Sequence, residues 1–515
     1  MKALSSLLTS LPSIAGLIPA SLQQLTITGI SMDSRLVNEG DLYLAIQPDP
    51  QNPAAHGGLY LEAAFAAGAK LALLDATLVD SLKCLSELFT QRLIIVPDLA
   101  ELAGDICAAW FDYPAEASQI VGITGTNGKS SCAWFLAQAA NQRNRQAKGA
   151  FIGTLGSGFV SASVTENWQE TTHTTPDALQ LQADLKRLKH AEIIALEVSS
   201  HALVQRRVNA TQFKVGAFTN LSQDHLDYHG DMNSYLDAKA GLFEHCEVAA
   251  AVINIDDEYG QKLADRVQIL VDKGVISKRL TVSKKVAADI VVVQLPQSSE
   301  HGLHLQINTP KGVITAQTRL LGDFNAANLG LVSAVLLMLD WSLQDIQRLL
   351  TVLQPVPGRM QSVNVCEDQP LVIVDYAHTP AALETLLLSS RKHTPDNLWC
   401  IVGCGGDRDR GKRPQMAAIA SRLADRVIFT SDNPRNESIE SIIEDMLAGV
   451  PADEVNKITC ETKRHTAIET ALNGASNNDC VVIAGKGHET YQQVGEHKYL
   501  FDDVQVATEL LGKAA

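Results

Sequence analysis

No stretch of this 515-residue chain reaches the roughly 18 consecutive apolar residues that a membrane-spanning helix needs. The nine cysteines form no C-x-x-C pair and no regular spacing, so a disulfide framework is not expected, and the odd count suits a reducing cytoplasm. Basic residues are outnumbered, 42 against 58 acidic, giving a net charge of −16. That balance argues against a nucleic-acid-binding surface, and any anionic substrate must be met by local basic groups. Internal repeats and low-complexity tracts are absent too. What remains is an ordinary globular composition in a chain too long for one hydrophobic core, with about three domains expected from its length.

The N-terminus has a lysine and many leucines but not the uninterrupted apolar core of a secretory leader. Leu4, Leu7, Leu8 and Leu11 recur at i, i+3, i+4 and i+7, the stripe of an amphipathic helix that Pro12 stops. Residues 1–112 read as a small α/β unit, with strands near Leu42 to Ile46, Leu71 to Leu74 and Leu93 to Val96 and a helix at Leu61 to Ala67. Tyr113-Pro114 marks a hinge. Residues 113–353 alternate strands and helices in the manner of a mainly parallel sheet, with strands at Ile120 to Thr124, Ile193 to Val198, Val215 to Thr219 and Ala249 to Ile255. A hairpin-like stretch, Ile290 to Leu321, precedes an apolar helix at Ala326 to Leu339. After the Pro-Val-Pro-Gly358 linker, residues 354–515 form a third α/β segment, with strands at Leu371 to Asp375, Trp399 to Val402, Val427 to Thr430 and Cys480 to Ala484. The expected fold class is therefore α/β in three domains: a small N-terminal domain, a central P-loop-type domain and a Rossmann-like C-terminal domain.

The strongest local signal is Gly122-Ile-Thr-Gly-Thr-Asn-Gly-Lys129-Ser130-Ser131, between an apolar strand and an apolar helix. Backbone N–H groups of such a turn point at phosphate oxygens; Lys129 can neutralise the outer phosphates, and Ser130 can offer its oxygen to Mg²⁺. The first glycine of the general pattern falls on Ile123. A glycine-rich turn without a ligand is the plainer alternative, and the Lys-Ser pair speaks against it. Glu197 closes a neighbouring strand, where a magnesium ligand is wanted, although a carboxylate there could equally cap a helix. The loop Asn220 to Asp231 is dense in Asp and His.

These strings together resemble one family: Gly125-Thr-Asn-Gly-Lys-Ser130, Glu197-Val-Ser-Ser-His-Ala-Leu203, Asn220 to Asp231, Gly322-Asp-Phe-Asn-Ala-Ala-Asn328, Asp375-Tyr-Ala-His-Thr-Pro380 and Gly403 to Pro414. The chain is similar to the Mur ligases along its whole length. The resemblance implies that Gly125, Thr126, Asn127, Gly128, Lys129, Ser130 and Ser131 bind ATP, completed by Asn325, Asn328, Arg359 and Asp375. Ser130, Glu197 and His225 would hold two Mg²⁺ ions, and Lys239 matches the position that the family carbamylates to N6-carboxylysine, which turns a cation into a further, anionic oxygen ligand for magnesium. From the residues alone, Lys239 reads as a solvated helix lysine.

The resemblance also implies a UDP-N-acetylmuramoyl-dipeptide held by Met32, Ser34, His173, Thr174, Thr175, Ser199, Gln205 and Arg207. Two positions depart from the family's pattern: Gln47-Pro-Asp49 replaces a His-Gln-Ala-like stretch, and His173 stands where asparagine is usual. Asp432-Asn433-Pro434-Arg435, with Arg408, Gly485 and Glu489, would take meso-diaminopimelate, whose far carboxylate suits a bidentate arginine. A lysine-adding ligase and a nucleotide-binding regulator without catalysis are the alternatives. Arg435 opposes the first; Lys129, Glu197, His225 and Lys239, all retained, oppose the second. A monomeric cytoplasmic enzyme is expected.

Overall fold

Among the described residues three main sheets, of four, eleven and six strands, follow one another along the chain beside two two-stranded pairs, each main sheet built where short Val, Ile, Leu and Ala runs are bounded by glycine or polar turns. The computed structural model describes residues 1–9, 11–52, 54–82, 90–143, 148–160, 165–171, 173–295, 302–363 and 368–514. They group into two compact units. The first comprises Met1–Val292, Ile307–Val313 and Ala327–Ile346; the second comprises Val293–Gln306, Ile314–Ala326 and Gln347–Ala515.

In the first unit the N-terminal stripe folds as expected. Leu4, Leu7 and Leu11 are buried, the helix Leu4–Leu8 ends before Pro12, and Pro12 opens a second short helix, Pro12–Ala15, at a position where its missing N–H costs nothing. A four-stranded parallel sheet then runs Ile30–Ser31, Leu42–Ala45, Leu71–Asp75, Leu93–Val96 in that order. It is tied to the following segment by ion pairs: Asp112 accepts from Lys2 at 2.5 Å and Lys186 at 2.7 Å, and Glu101 pairs with Arg206 at 2.6 Å.

The large sheet places Gln119–Thr124 between Ile193–Glu197 and Gln212–Phe218, all three parallel. Gly149–Gly153 lies beyond Ile193–Glu197, while Glu247–Asn254 and Lys278–Ser283 continue on the other side, again parallel. Every residue of Ile193–Glu197 is buried, as a strand covered on both faces requires. This order brings the chain beyond three strand ends to one place: Gly125 to Gly128, Val198 to His201, and Thr219 to His225. Ligands bind at such carboxyl ends. Of the hairpin-like stretch, strands Leu303–Thr309 and Gly312–Thr318 are present and adjacent, with buried and less buried residues alternating; residues 296–301 lie outside the described residues. The apolar helix spans Phe324–Met338. No helix among the described residues is long and apolar enough to cross a membrane.

In the second unit the sheet order is Gln361–Val363, Leu371–Asp375, Cys480–Ala484, Leu398–Val402, Arg426–Phe429, Ile458–Cys460, with only the first strand antiparallel. Arg413 is a buried anchor beside it. Its guanidinium donates to both Glu437 oxygens at 2.8 and 2.9 Å, to Asp445 at 2.8 Å and to the Gly405 carbonyl at 3.1 Å. The Arg413 hydrogen bonds hold the Glu437 carboxyl at about 2, below its ordinary 4.5. A depressed carboxyl contributes stability in full above its unfolded value and loses it as pH falls through the folded one. Thermal melts of Glu437→Gln against the parent should therefore differ most at neutral pH, with the gap closing between pH 4.5 and about 2. A gap independent of pH would show that the ion pair does not link folding to protonation.

Candidate active site

The phosphate loop is built on glycine. Gly125 has φ +142° and Gly128 φ +85°, and the helix Lys129–Arg143 starts immediately afterwards. A Cβ at Gly125 would stand 1.9 Å from Thr219 Oγ1, so no other residue fits there. Hydrogen bonds lace the loop to the end of the adjacent strand. Thr126 N donates to Asn220 O at 2.9 Å, Asn127 N to Asn220 Oδ1 at 3.0 Å, and Thr219 Oγ1 to Asn127 O at 2.6 Å. Ser131 lies in the first turn of the helix and Asn328 is buried on its own helix in the same unit.

Charged groups converge on this loop. Lys129 Nζ donates to the carbonyls of Gly125 at 2.9 Å and Thr126 at 2.7 Å. Lys239 Nζ donates to the same Gly125 carbonyl at 2.8 Å. Lys239 is 1% exposed, against the plain reading of a solvated helix lysine, because its helix Met232–Glu244 packs that face inward. Burial, and then the charge of Lys129, push its pKa well below the usual lysine value. Glu197 is equally buried; its Oε2 accepts from Ser130 Oγ at 2.9 Å and its Oε1 from Thr154 N at 2.9 Å. The helix that follows, Ser200–Val204, is capped by Ser199 and not by this carboxylate. Ser130 and Glu197 thus present two oxygen donors side by side, a hard-cation donor set that fits Mg²⁺ beside phosphates. Among the described residues no group of three or more His, Cys, Asp or Glu side chains could hold a metal by itself.

A second network leaves Glu197 through the backbone. Thr175 Oγ1 donates to the Glu197 carbonyl at 2.8 Å and accepts from Ser199 N at 3.0 Å. Arg207 Nη1 donates to Thr175 O at 2.8 Å, and Arg207 Nε to Gln205 Oε1 at 3.0 Å. Thr174 accepts from Thr154 Oγ1 at 3.2 Å, and His173 is exposed. Two connections were not expected. Tyr228 Oη donates to Asp49 Oδ1 at 3.0 Å, tying the departing Gln47-Pro-Asp49 segment to this network, and His201 packs edge-on against His225 and His229 and tilted against Tyr228. His225 adopts φ +51° and is half exposed. Burial, then His201, lowers His229 to about 4. Met32 lines a cavity of about 550 Å³ in the N-terminal part, with Ser31, Asp33, Asp177 and Leu179, and Ser34 opens the short helical turn beside it.

In the second unit Asp375 closes its strand, accepting from Met360 N at 2.7 Å and Ala377 N at 2.8 Å; burial raises its pKa. Arg359 lies over the Tyr376 ring, 5.3 Å from its centre, and Asn325 donates to Leu321 O at 2.7 Å. Asp432, Asn433, Pro434 and Arg435 form one turn with Gly485 and Glu489. Asn433 Nδ2 donates to Glu489 Oε2 at 2.8 Å, and a Cβ on Gly485 would come within 2.6 Å of Asp432 Oδ2. Burial raises the Asp432 pKa, opposed by Arg464 and Lys486. Arg408 is exposed nearby. Sequence reasoning missed Lys486, fully buried between Asn433 and Glu489, although it sits in the same Gly-Lys-Gly-His-Glu string. It also missed the buried Arg464–Asp503 pair, which has no local signal and donates to the carbonyls of Ser431 and Ala484, the residues before Asp432 and Gly485.

The profile of the Mur ligase middle domain matches residues 123–336, and that of the Mur ligase glutamate ligase domain matches residues 358–487. The chain belongs to the Mur ligase family. This Mur ligase is 42% identical over 516 residues, 99% of each chain, to the UDP-N-acetylmuramoyl-L-alanyl-D-glutamate–2,6-diaminopimelate ligase of Chromobacterium violaceum. It is 40% identical over 501 residues to the ligase of that name from Pseudomonas aeruginosa, covering 97% of this chain and 98% of the relative. A solved structure of a ligase with that name superposes with a TM-score of 0.71 at 34% identity, over 96% of this chain and 97% of that one. The MurF ligase of Thermotoga maritima, solved with ADP, shares the fold at 16% identity and a TM-score of 0.55, over 95% of this chain and 98% of that one.

Gly125→Ala tests the loop. The backbone conformation and the collision with Thr219 should weaken nucleotide binding, read by titration calorimetry, by about tenfold or more, equivalent to about 1.4 kcal/mol. Parent-like affinity would mean that the loop does not meet phosphates.

Proposed function

We propose that this Mur ligase joins an amino group of meso-2,6-diaminopimelate to the D-glutamyl γ-carboxylate of UDP-N-acetylmuramoyl-L-alanyl-D-glutamate, at the expense of ATP. The observation that carries this reading is the buried Glu197 carboxylate hydrogen-bonded to Ser130 behind the phosphate loop. It occurs in a chain alike along 99% of its length to a ligase named for that reaction. The reading implies a monomeric, cytoplasmic enzyme of peptidoglycan precursor synthesis. Its sugar-nucleotide, ATP and amino-acid segments divide near residues 112 and 353.

A carboxylate is a poor acyl donor until it carries a leaving group. A γ-carboxylate oxygen attacks the γ-phosphorus of ATP, the bond to the β-phosphate oxygen breaks, and ADP departs. The diaminopimelate amine then attacks the acyl carbon through a tetrahedral intermediate, phosphate leaves with the bonding electron pair, and the amine loses a proton. Little covalent chemistry falls to the protein, so positioning and charge compensation dominate. In the structure Lys129 is satisfied by carbonyls of its own loop; phosphate oxygens of ATP compete for the same ammonium. Ser130, Glu197 and His225 would hold Mg²⁺, which when bound neutralises phosphate charge. Arg359 and Asp375 suit the nucleotide, while Gln205, Arg207, Thr175, Ser199 and the Met32 cavity suit the sugar-nucleotide substrate.

The depressed pKa of Lys239 favours the neutral amine, the form that adds CO₂ with loss of a proton to give an anionic carbamate. Lys239→Ala should lose nearly all turnover and recover part of it with added short carboxylic acids. Full activity without rescue would mean that no carbamate is used.

Arg435 selects the amino acid by facing the carboxylate that lysine lacks, with planar donors that pair bidentately. In a coupled phosphate-release assay with the UDP-dipeptide and ATP, diaminopimelate should support turnover and L-lysine should not. Arg435→Lys should raise the diaminopimelate KM by at least about tenfold through loss of the bidentate contact. No phosphate with either amino acid overturns the enzyme assignment, and preference for lysine overturns the specificity.

A further inference from the structure

The turn that carries Arg435 is held by an element with no role so far. Strands Tyr491–Val494 and His497–Leu500 form a two-stranded hairpin of their own. Its second strand is exposed throughout. An isolated hairpin of this size has little stability by itself. It is docked on the turn by an unusually complete set of hydrogen bonds. Arg435 N donates to Gln493 O at 3.1 Å, and Gly495 N donates to Arg435 O at 2.8 Å, so both backbone groups of Arg435 are taken by the hairpin. Gln493 N donates to Asn433 Oδ1 at 2.8 Å. The side chain of Gln492 spans the start of the turn, donating to Ser431 Oγ at 2.8 Å and to the Asp432 carbonyl at 2.7 Å.

This docking answers a backbone problem. Arg435 has φ +50°, a left-handed conformation that residues with a Cβ rarely adopt. Such a conformation persists only where the surroundings over-determine it, and here the hairpin takes both its N–H and its carbonyl. The guanidinium leaves the turn in a fixed direction as a result, and Nη1 reaches the Gly406 carbonyl at 2.8 Å. Lys486 and Glu489 grip Asn433 from the segment just before the hairpin, so residues 486–495 clasp the turn from both sides.

We propose that the 491–500 hairpin is a specificity element for the incoming amino acid, with Gln492 a positioning residue that aligns Arg435 on the far carboxylate of a diamino diacid. This rests on the diaminopimelate assignment above. Gln492 touches no substrate in this scheme; it acts on the backbone of Asp432 and through it on the direction of Arg435. A bidentate contact depends steeply on direction, so a small turn movement costs affinity for the carboxylate and leaves the phosphoryl-transfer groups untouched.

The test uses the full chain, with steady-state kinetics for all three substrates. Gln492→Met keeps the side-chain length and removes the donor. The diaminopimelate KM should rise about tenfold, as expected for two lost hydrogen bonds, with the ATP and UDP-dipeptide KM values and kcat within about twofold. Gln492→Asn, too short to reach both acceptors, should show the same selective rise at smaller size, and serves if the methionine variant does not fold. Combined with Arg435→Lys, the methionine variant should add no more than about a further twofold, because both changes remove one contact. An unchanged diaminopimelate KM, a rise shared by all substrates, or fully multiplicative effects in the double variant would overturn the inference. If Arg435→Lys alone leaves the diaminopimelate KM unchanged, the pocket assignment and the inference fall together; a steep Arg435 effect beside a flat Gln492 effect overturns the inference alone.

Discussion

Two lysine amines, Lys129 and Lys239, share a single backbone acceptor, the carbonyl of Gly125. Like charges brought together in a buried place are unfavourable, and the structure resolves the conflict by burying Lys239 and favouring its neutral form. The arrangement depends on one residue that can hold φ +142° with Thr219 pressed against its α-carbon. It also creates a demand for anions at that point. In the proposed reaction the phosphate oxygens of ATP would answer the demand, and Glu197 stands on the neighbouring strand, bonded to Ser130.

The same architectural rule serves both units. Parallel strands deliver chain ends to one edge of a sheet, and the polar groups there are held by backbone and buried side-chain hydrogen bonds. In the first unit the loop after Gln119–Thr124 is laced to Thr219 and Asn220; in the second the turn after Arg426–Phe429 is laced to Lys486, Glu489 and the Gln492 hairpin. Ion pairs of two buried arginines sit behind this turn. Arg464 with Asp503 fastens the carbonyls before Asp432 and Gly485, and Arg413 with Glu437 and Asp445 fastens Gly405. Pairs of this kind are costly to desolvate, and Arg464 gives the turn one geometry because its Nε, Nη1 and Nη2 each meet an acceptor at a set place.

The groups legible in the sequence are those whose roles come from local chain geometry. Lys129 and Ser130 open a helix after a glycine turn, Glu197 ends an apolar strand, and Asp432 to Arg435 follow another strand. Lys239 was not legible from its own surroundings: helical spacing does not reveal that the inward face of Met232–Glu244 is where a lysine belongs. The role proposed for it came through the family resemblance. Lys486 lay between Gly485 and Glu489, both expected in the amino-acid pocket, yet gave no sign that it would be buried. Asp49 stood out as a departure from the family, but that it meets Tyr228 depends on the folding of a chain in which the two stand 179 positions apart.

By itself the sequence determined the α/β class, the succession of sheets, the glycine loop between strand and helix before Lys129 and the turn bearing Arg435, because periodicity, glycine placement and strand ends act over a few residues. Only the tertiary structure decided which charges are buried and what they face. The convergence of two lysines on Gly125, the Tyr228 contact with Asp49 and the clasp of residues 486–495 around Arg435 all join distant segments. Their energies come from desolvation and hydrogen-bond geometry, which exist only once the sheets have brought those segments together.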